Sequence, residues 1–262
     1  MERLKALEKI VLEAGKIVQE GYHSNTEVSK KSPTELVTKY DKAVEAYLIE
    51  KITPLYSDYT IVAEESFEGG SIPHNAIFID PIDGTTNFVH KIPHLAISIG
   101  IWSNGKPQEA IVYNPILNEL YSAKRGQGAY CNGKKIQVQK DTNLQNAIIA
   151  TGFPYAKHEM GKEYWWVVKS FESLLPKIRD IRRLGAAALD LCYLSSGKVN
   201  GFYEINLKPW DVAAGILILQ EAGGEVSDIY GKAYSFEKTI IVASNRSIHS
   251  QLLENLAEYH DG

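Results

Sequence analysis

The chain has 262 residues, 44% of them hydrophobic and 23% charged, with a formal net charge of −4. That length calls for one large domain or two closely packed halves, and the composition is that of an ordinary globular protein. The charge offers no basic field for nucleic acid or a membrane surface, but it leaves anionic substrates open, because a metal ion can reverse the local sign.

Leu4, Leu7, Val11, Ala14 and Val18 recur at three- and four-residue steps and predict an amphipathic first helix. The stretch MERLKALEKIVLEAGKIV is charged throughout and does not read as a signal peptide. Residues 23–41 form a polar loop around Lys30 and Lys31, and Val44, Tyr47, Leu48 and Ile52 mark a second helix starting near Asp41. YTIVAEES and AIFIDPID are short apolar strands that each end in carboxylates. HLAISIGIW, EAIVYNP and NELYSAK continue as strands. Asn132-Gly133 suits a hairpin turn inside GAYCNGKK. NAIIATG reads as a strand and residues 158–175 as a helix. AAALDLCYLSSG is helical up to Gly197, NGFYEI is a strand, and PWDVAAGILILQEAGG is a helix with proline at its start. TIIVAS is a last strand before a last helix.

Cys131 and Cys192 lie far apart and outside any C-x-x-C pattern, so neither a disulfide framework nor a zinc cluster is expected. No apolar run approaches the roughly 20 residues needed to span a bilayer. The expectation is a cytoplasmic α+β protein, with halves at 1–140 and 141–262 packed as one unit.

The stretch IDPIDGTTNFVH, residues 79–90, carries the chemistry. A regular strand would send Asp80 and Asp83 to opposite faces. Pro81 favours ending the strand, after which the chain can turn so that both carboxylates converge. Gly84-Thr85-Thr86 would then open a short helix whose free N–H groups suit a phosphate, and hard oxygen ligands beside a phosphate are what Mg²⁺ takes. The structural alternative makes Asp83 a helix cap, but a cap needs only one carboxylate. Glu64 and Glu65 end the preceding strand, and sequence alone barely separates them. Asp41 and Asp211 each open a helix, and Glu204 by itself would be a surface strand residue. His90 and His94 are spaced i, i+4, but Pro93 between them argues for core or surface roles.

FIDPIDGTTNFVH and WDVAAGILILQEAGG, with IVAEES, ELVTKYD and RRLGAAALDLCYLSSG in order, resemble the inositol monophosphatase family of lithium-sensitive, magnesium-dependent phosphatases, its bacterial branch most. The resemblance runs nearly end to end. It implies a layered α/β/α/β/α sandwich of the inositol monophosphatase and fructose-1,6-bisphosphatase type, a homodimer and lithium inhibition. It implies two to three Mg²⁺ ions: one on Glu64, Asp80 and the Ile82 carbonyl, a second on Asp80, Asp83 and Asp211, and a looser third leaning on Glu64. Gly84 and Thr85 would hold the phosphate, and Thr85 bonded to Asp41 would activate the water. Glu204 would meet a substrate hydroxyl, Arg182 would face the substrate or a dimer partner, and the loop around Lys30 would be a flap. Ala186 stands where some members carry a hydroxyl, which weakens strict inositol specificity.

The expected reaction is hydrolysis of inositol 1-phosphate without a covalent intermediate. A broader sugar phosphatase acting on fructose 1,6-bisphosphate and a non-catalytic regulatory member are the alternatives. A haloacid-dehalogenase loop needs D-x-D spacing, whereas Asp80 and Asp83 are three apart. A P-loop would need Ser or Thr where Lys135 stands, and a strand feeding a helix.

Overall fold

The computed structural model describes residues 2–24, 28–30 and 36–259. In chain order the first half carries α1 (Glu2–His23), β1 (Val28–Lys30), β2 (Leu36–Thr38), α2 (Lys39–Ile52), β3 (Thr60–Ala63), β4 (Asn75–Asp83), α3 (Thr85–Val89), β5 (Ala96–Ser103), β6 (Lys106–Asn114), β7 (Glu119–Lys124), β8 (Ala129–Cys131) and β9 (Lys134–Ile136). The second carries β10 (Ile148–Thr151), α4 (Lys162–Leu174), β11 (Asp180–Arg182), α5 (Ala187–Ser195), β12 (Gly201–Ile205), α6 (Pro209–Glu221), β13 (Glu225–Ser227), β14 (Ile240–Ser244) and α7 (His249–Asn255).

Strands β3 to β9 form a seven-stranded sheet in sequence order, antiparallel except for the parallel pair β3–β4. A five-stranded sheet has the order β11-β10-β12-β14-β13, with β10 parallel to both neighbours. Alternation along the strands decides which layers touch. Ile77, Ile79, Ile97 and Ile99 face α1 and α2 through Leu7, Val11, Val44 and Leu48. On the opposite face Ala96, Ala110 and Val112 meet α5 and α6 through Leu189, Cys192 and Leu217. Leu191, Val212 and Ile216 then turn to Phe202 and Ile241 of the second sheet. Tyr203, Ile205 and Val242 meet α4 and α7 through Trp166 and Leu252 on the far side. The layering is α/β/α/β/α, as the family resemblance implied. Helices α5 and α6 belong to the second half yet cover the first sheet, which ties the halves together.

The expected hairpin turn holds. Asn132 (φ 49°) and Gly133 (φ 74°) make the β8–β9 hairpin turn, so GAYCNGKK is no phosphate loop. The region around Lys30 lies mostly outside the described residues; residues 28–30 pair as strand β1 with β2. Strands β11 and β13 carry too few apolar residues to show in the sequence pattern.

One expectation is corrected. Strand β4 does not end at Pro81 but runs on to Asp83. Asp80 pairs with Ser98 and Asp83 with Ala96, so three steps on β4 oppose two on β5. This is a bulge of one extra residue. Ser98 and Ala96 share one face of β5, and the bulge therefore brings both aspartates to that face, toward α5 and α6. Pro81 is tolerated because bulges accept a residue with no N–H to give.

Candidate active site

The bulge opens onto a cleft of about 480 Å³ between the sheets. Glu64, Asp80, Ile82, Asp83, Gly84, Thr85, Glu204 and Asp211 all line it. Asp41 and Arg182 do not. The structure also separates Glu64 from Glu65: Glu64 faces the cleft, and the Glu65 N–H donates to Glu45 Oε2 at 2.8 Å.

Asp41 and Asp211 are held by the same device. Each is the third residue of its helix and accepts the N–H of the capping residue, Thr38 (2.8 Å) for Asp41 and Lys208 (2.7 Å) for Asp211. Such a cap contributes about 1 kcal/mol to the helix. In Asp41 the cap uses Oδ2, and Oδ1 accepts from the Thr85 hydroxyl at 3.1 Å. Cap and site residue are one group. Asp83 caps a different helix from the one expected. Gly84 occupies the N-cap of α3 with no side-chain bond, while Asp83 Oδ2 accepts from Ala188 N, in the first turn of α5, at 2.7 Å. That contact spans from β4 to the second half of the chain.

Gly84 stands at φ 90°, a conformation that favours glycine. A Cβ there would also lie 3.1 Å from the Gly185 and His94 carbonyl oxygens. At Gly152 the reason is space: a Cβ would come 1.7 Å from Glu204 Oε1. Glu204 reaches the cleft over Gly152, which follows Thr151, the partner of Tyr203 in the β10–β12 register.

Of the two positions expected for Arg182, facing the substrate or facing a dimer partner, the cleft is not the one it takes. It ends β11 exposed, paired with Asp180 Oδ2 at 2.5 Å, and does not face the cleft. Successive residues of an extended chain point opposite ways, and the neighbouring Arg183 lines the cleft instead. Sequence reasoning also passed over Asp190, a buried cleft residue whose Oδ1 lies 3.0 Å from His94 Nε2. The pairing places His94 in the core, and His90 is exposed. Tyr155 completes the rim, its hydroxyl 3.4 Å from Asp211 Oδ2.

Electrostatically the cleft is frustrated. Burial, then the neighbouring Glu64, Asp83 and Asp211 carboxylates, hold the Asp80 carboxyl well above its ordinary range. Asp211 is raised by burial and by Glu64 and Asp83. Asp83 is pushed up to about 8, chiefly by burial and against the pull of the Ala188 N–H. Burial also raises Glu204, with Arg183 opposing. Such a cluster demands a cation or protons. Among the described residues no three Asp, Glu, His or Cys side chains form a ready ion cage, and Glu64 and Asp80 share a hydrogen bond. Mg²⁺ nevertheless fits this donor set, because it binds through one or two carboxylates and completes its octahedron with water and phosphate oxygens.

The profile of the inositol monophosphatase family matches residues 1–261. The chain belongs to the inositol monophosphatase family. This is a phosphatase-type family, and its members include proteins of other names. The Nus factor SuhB of Escherichia coli (strain K12) is 41% identical over 248 residues, 94% of this chain and 92% of that protein. Among solved structures, the extragenic suppressor protein suhB from Bartonella henselae superposes with a TM-score of 0.91 at 34% identity, covering 99% of this chain and 100% of that one. The Thermotoga maritima IMPase gives a TM-score of 0.88 at 33% identity, with 98% and 97% covered. No helix of the described residues is long and apolar enough to cross a membrane.

Proposed function

We propose that this protein hydrolyses phosphate monoesters in a Mg²⁺-dependent reaction in the cytoplasm, with inositol 1-phosphate its substrate and no covalent enzyme intermediate. The observation that supports this best is the β4 bulge, which turns Asp80 and Asp83 to one face beside Glu64, Asp211 and the Gly84–Thr85 amides.

Glu64, Asp80 and the Ile82 carbonyl would hold one ion, and Asp80, Asp83 and Asp211 a second, with a third leaning on Glu64. Bound Mg²⁺ supplies the positive charge that offsets the phosphate and the departing alkoxide. Gly84 and Thr85 turn their N–H groups to the phosphate and fix its orientation. The Thr85 hydroxyl accepts from the attacking water while it donates to Asp41 Oδ1. As the water oxygen bonds to phosphorus and the ester P–O bond breaks, the water proton passes to Thr85 and the Thr85 proton to Asp41. Burial raises the proton affinity of Asp41, which suits it to that task. Glu204, near the end of β12 at the other side of the cleft, accepts from an alcohol hydroxyl.

A homodimer is part of the same reading, and exposed Trp165 and Val168 on α4 with nearby Met160 are apolar surface such a contact would cover. A non-catalytic role is the second reading, favoured by curated relatives that bear the name Nus factor. Retention of every expected cleft carboxylate favours the enzyme.

Phosphate release with and without Mg²⁺ tests the proposal, on inositol 1-phosphate, fructose 1,6-bisphosphate, histidinol phosphate and adenosine 3′,5′-bisphosphate, each repeated with Li⁺. Mg²⁺-dependent, Li⁺-sensitive preference for inositol 1-phosphate is the expected result. Comparable rates on fructose bisphosphate would leave the chemistry and widen the substrate. No release with Mg²⁺ bound would favour the non-catalytic role.

A further inference from the structure

We infer that a pocket at the end of β5 and β6 away from the cleft binds a small polyanion of the diphosphate class. The inference does not depend on the phosphatase reading, because this pocket shares no residue with the cleft.

The pocket holds about 540 Å³ between the first turn of α1, the chain just after α2, and the ends of β5, β6 and β7. That volume is in the range of small-molecule sites. Arg3, Lys106, Lys124 and Arg125 line it, and Glu109 is the only acid that does. Glu109 is buried and fully used: Oε1 accepts from Lys124 Nζ at 2.7 Å, and Oε2 from the Tyr56 hydroxyl at 2.5 Å. Among the described residues Lys124 alone of the four cations is held in an ion pair. A satisfied pair therefore forms the floor, and three positive charges are left over. Arg3 lies 5.5 Å from the centre of the Tyr56 ring, a contact that keeps its guanidinium at the pocket wall.

Lys106 owes its direction to a second bulge. Ile101 pairs with Glu109 and Trp102 with Pro107, so Gln108 is an extra residue in β6. In a regular strand Glu109 and Lys106, three apart, would point to opposite faces. The extra residue brings Lys106, paired with Ser103, round to the side of Glu109. One bulge of this sheet gathers acids at the cleft, and the other turns a cation into this pocket. Arg125 follows β7, and its N–H donates to the Gln108 carbonyl at 2.9 Å, which ties it to the same bulge.

The chain as a whole has a net charge of −4, yet three exposed cations from three separate segments converge here without partners. A solvated rim would not need the bulge. Charges spread round a hollow suit a ligand with more than one oxyanion group, and two guanidiniums with an ammonium match phosphate oxygens.

Calorimetric titration of the full chain with pyrophosphate, in the absence of divalent ions, tests the site. Without metal the acids of the cleft repel such a ligand. The wild-type protein should bind pyrophosphate with Kd below about 1 mM, and inorganic phosphate roughly tenfold more weakly. Lys106→Glu and Arg125→Glu should each weaken pyrophosphate by about tenfold or more, the effect of one charge-assisted contact, with the melting temperature close to wild type. Arg183→Met, which removes a cation of the cleft, should leave the affinity unchanged. No saturable binding in the wild type, binding that survives both charge reversals, or an equal loss in Arg183→Met would overturn the site. Tighter binding of a hexaglutamate peptide than of pyrophosphate would overturn the ligand class.

Discussion

The two walls of the cleft bring in their strand carboxylates by opposite means. On the wall built from residues 41–85, Asp80 and Asp83 are carried by the backbone itself, through a bulge in a strand buried from Ala76 onward. On the wall built from residues 151–211, Glu204 comes from a regular strand, one residue before its end, and fits only because Gly152 has no side chain. The first wall is pinned by hydrogen bonds at Asp41, Thr85 and Asp83. The second mixes Glu204 and Asp211 with Arg183, Lys157 and Tyr155. The difference suggests a division of labour, with most of the phosphoryl chemistry on the first wall, joined there by Asp211, and recognition of the alcohol on the second.

Substitutions can break that division, and the largest effect belongs to the first wall. Asp83→Asn keeps an acceptor for Ala188 N but removes a charge, and kcat/KM should drop on the order of 10²–10³-fold with the far-UV circular dichroism unchanged. Near-normal turnover would remove Asp83 from the metal set. Asp41→Asn should lower kcat by about tenfold to a hundredfold, the range of a lost general base, while Mg²⁺ affinity measured by calorimetry stays close to wild type. A loss confined to Mg²⁺ affinity would make Asp41 a ligand. Gly152→Ala must displace Glu204, so KM for inositol 1-phosphate should rise roughly tenfold, as expected for one buried hydrogen bond, with a smaller change in kcat. Equal losses on substrates without a free hydroxyl would blur the two walls. Arg182→Ala should be the mildest: an exposed ion pair is worth about 0–1 kcal/mol, and it lies outside the cleft. Steady-state kinetics should show less than about a twofold change in kcat/KM.

Most of the layered fold was legible in the sequence, because long elements with an amphipathic period or a continuous apolar run declare themselves. α1, β4 to β7 and α6 are of this kind. Short edge strands such as β11 are not, since three residues with one apolar side chain carry no period. The acids of the first wall were legible because four carboxylates at the ends of apolar runs need a reason. Their geometry was not: Pro81 reads as a terminator, and only the pairing partners Ser98 and Ala96 reveal a bulge. The choice between Arg182 and Arg183 turns on the phase of an extended segment, which a pair of identical residues cannot express. Asp190 hid inside an apolar helix pattern, and Gly152 shows its purpose only once Glu204 lies against it.

On the proposed reading, the acids of the cleft are tolerated because a cation neutralises them. Melting temperature against pH, in chelator and in Mg²⁺, tests it most directly. The Asp83 carboxyl has an ordinary value of 3.8 and is pushed up to about 8 in the folded chain. Between those values the folded state binds more protons than the unfolded state, so stability should fall as pH rises from about 4 to about 8. In chelator the melting temperature should therefore drop across that window. Mg²⁺ should abolish the drop, and Asp83→Asn should lessen it. A melting temperature in chelator that stays level or climbs from pH 5 to 8, with no gain from Mg²⁺, would contradict the account.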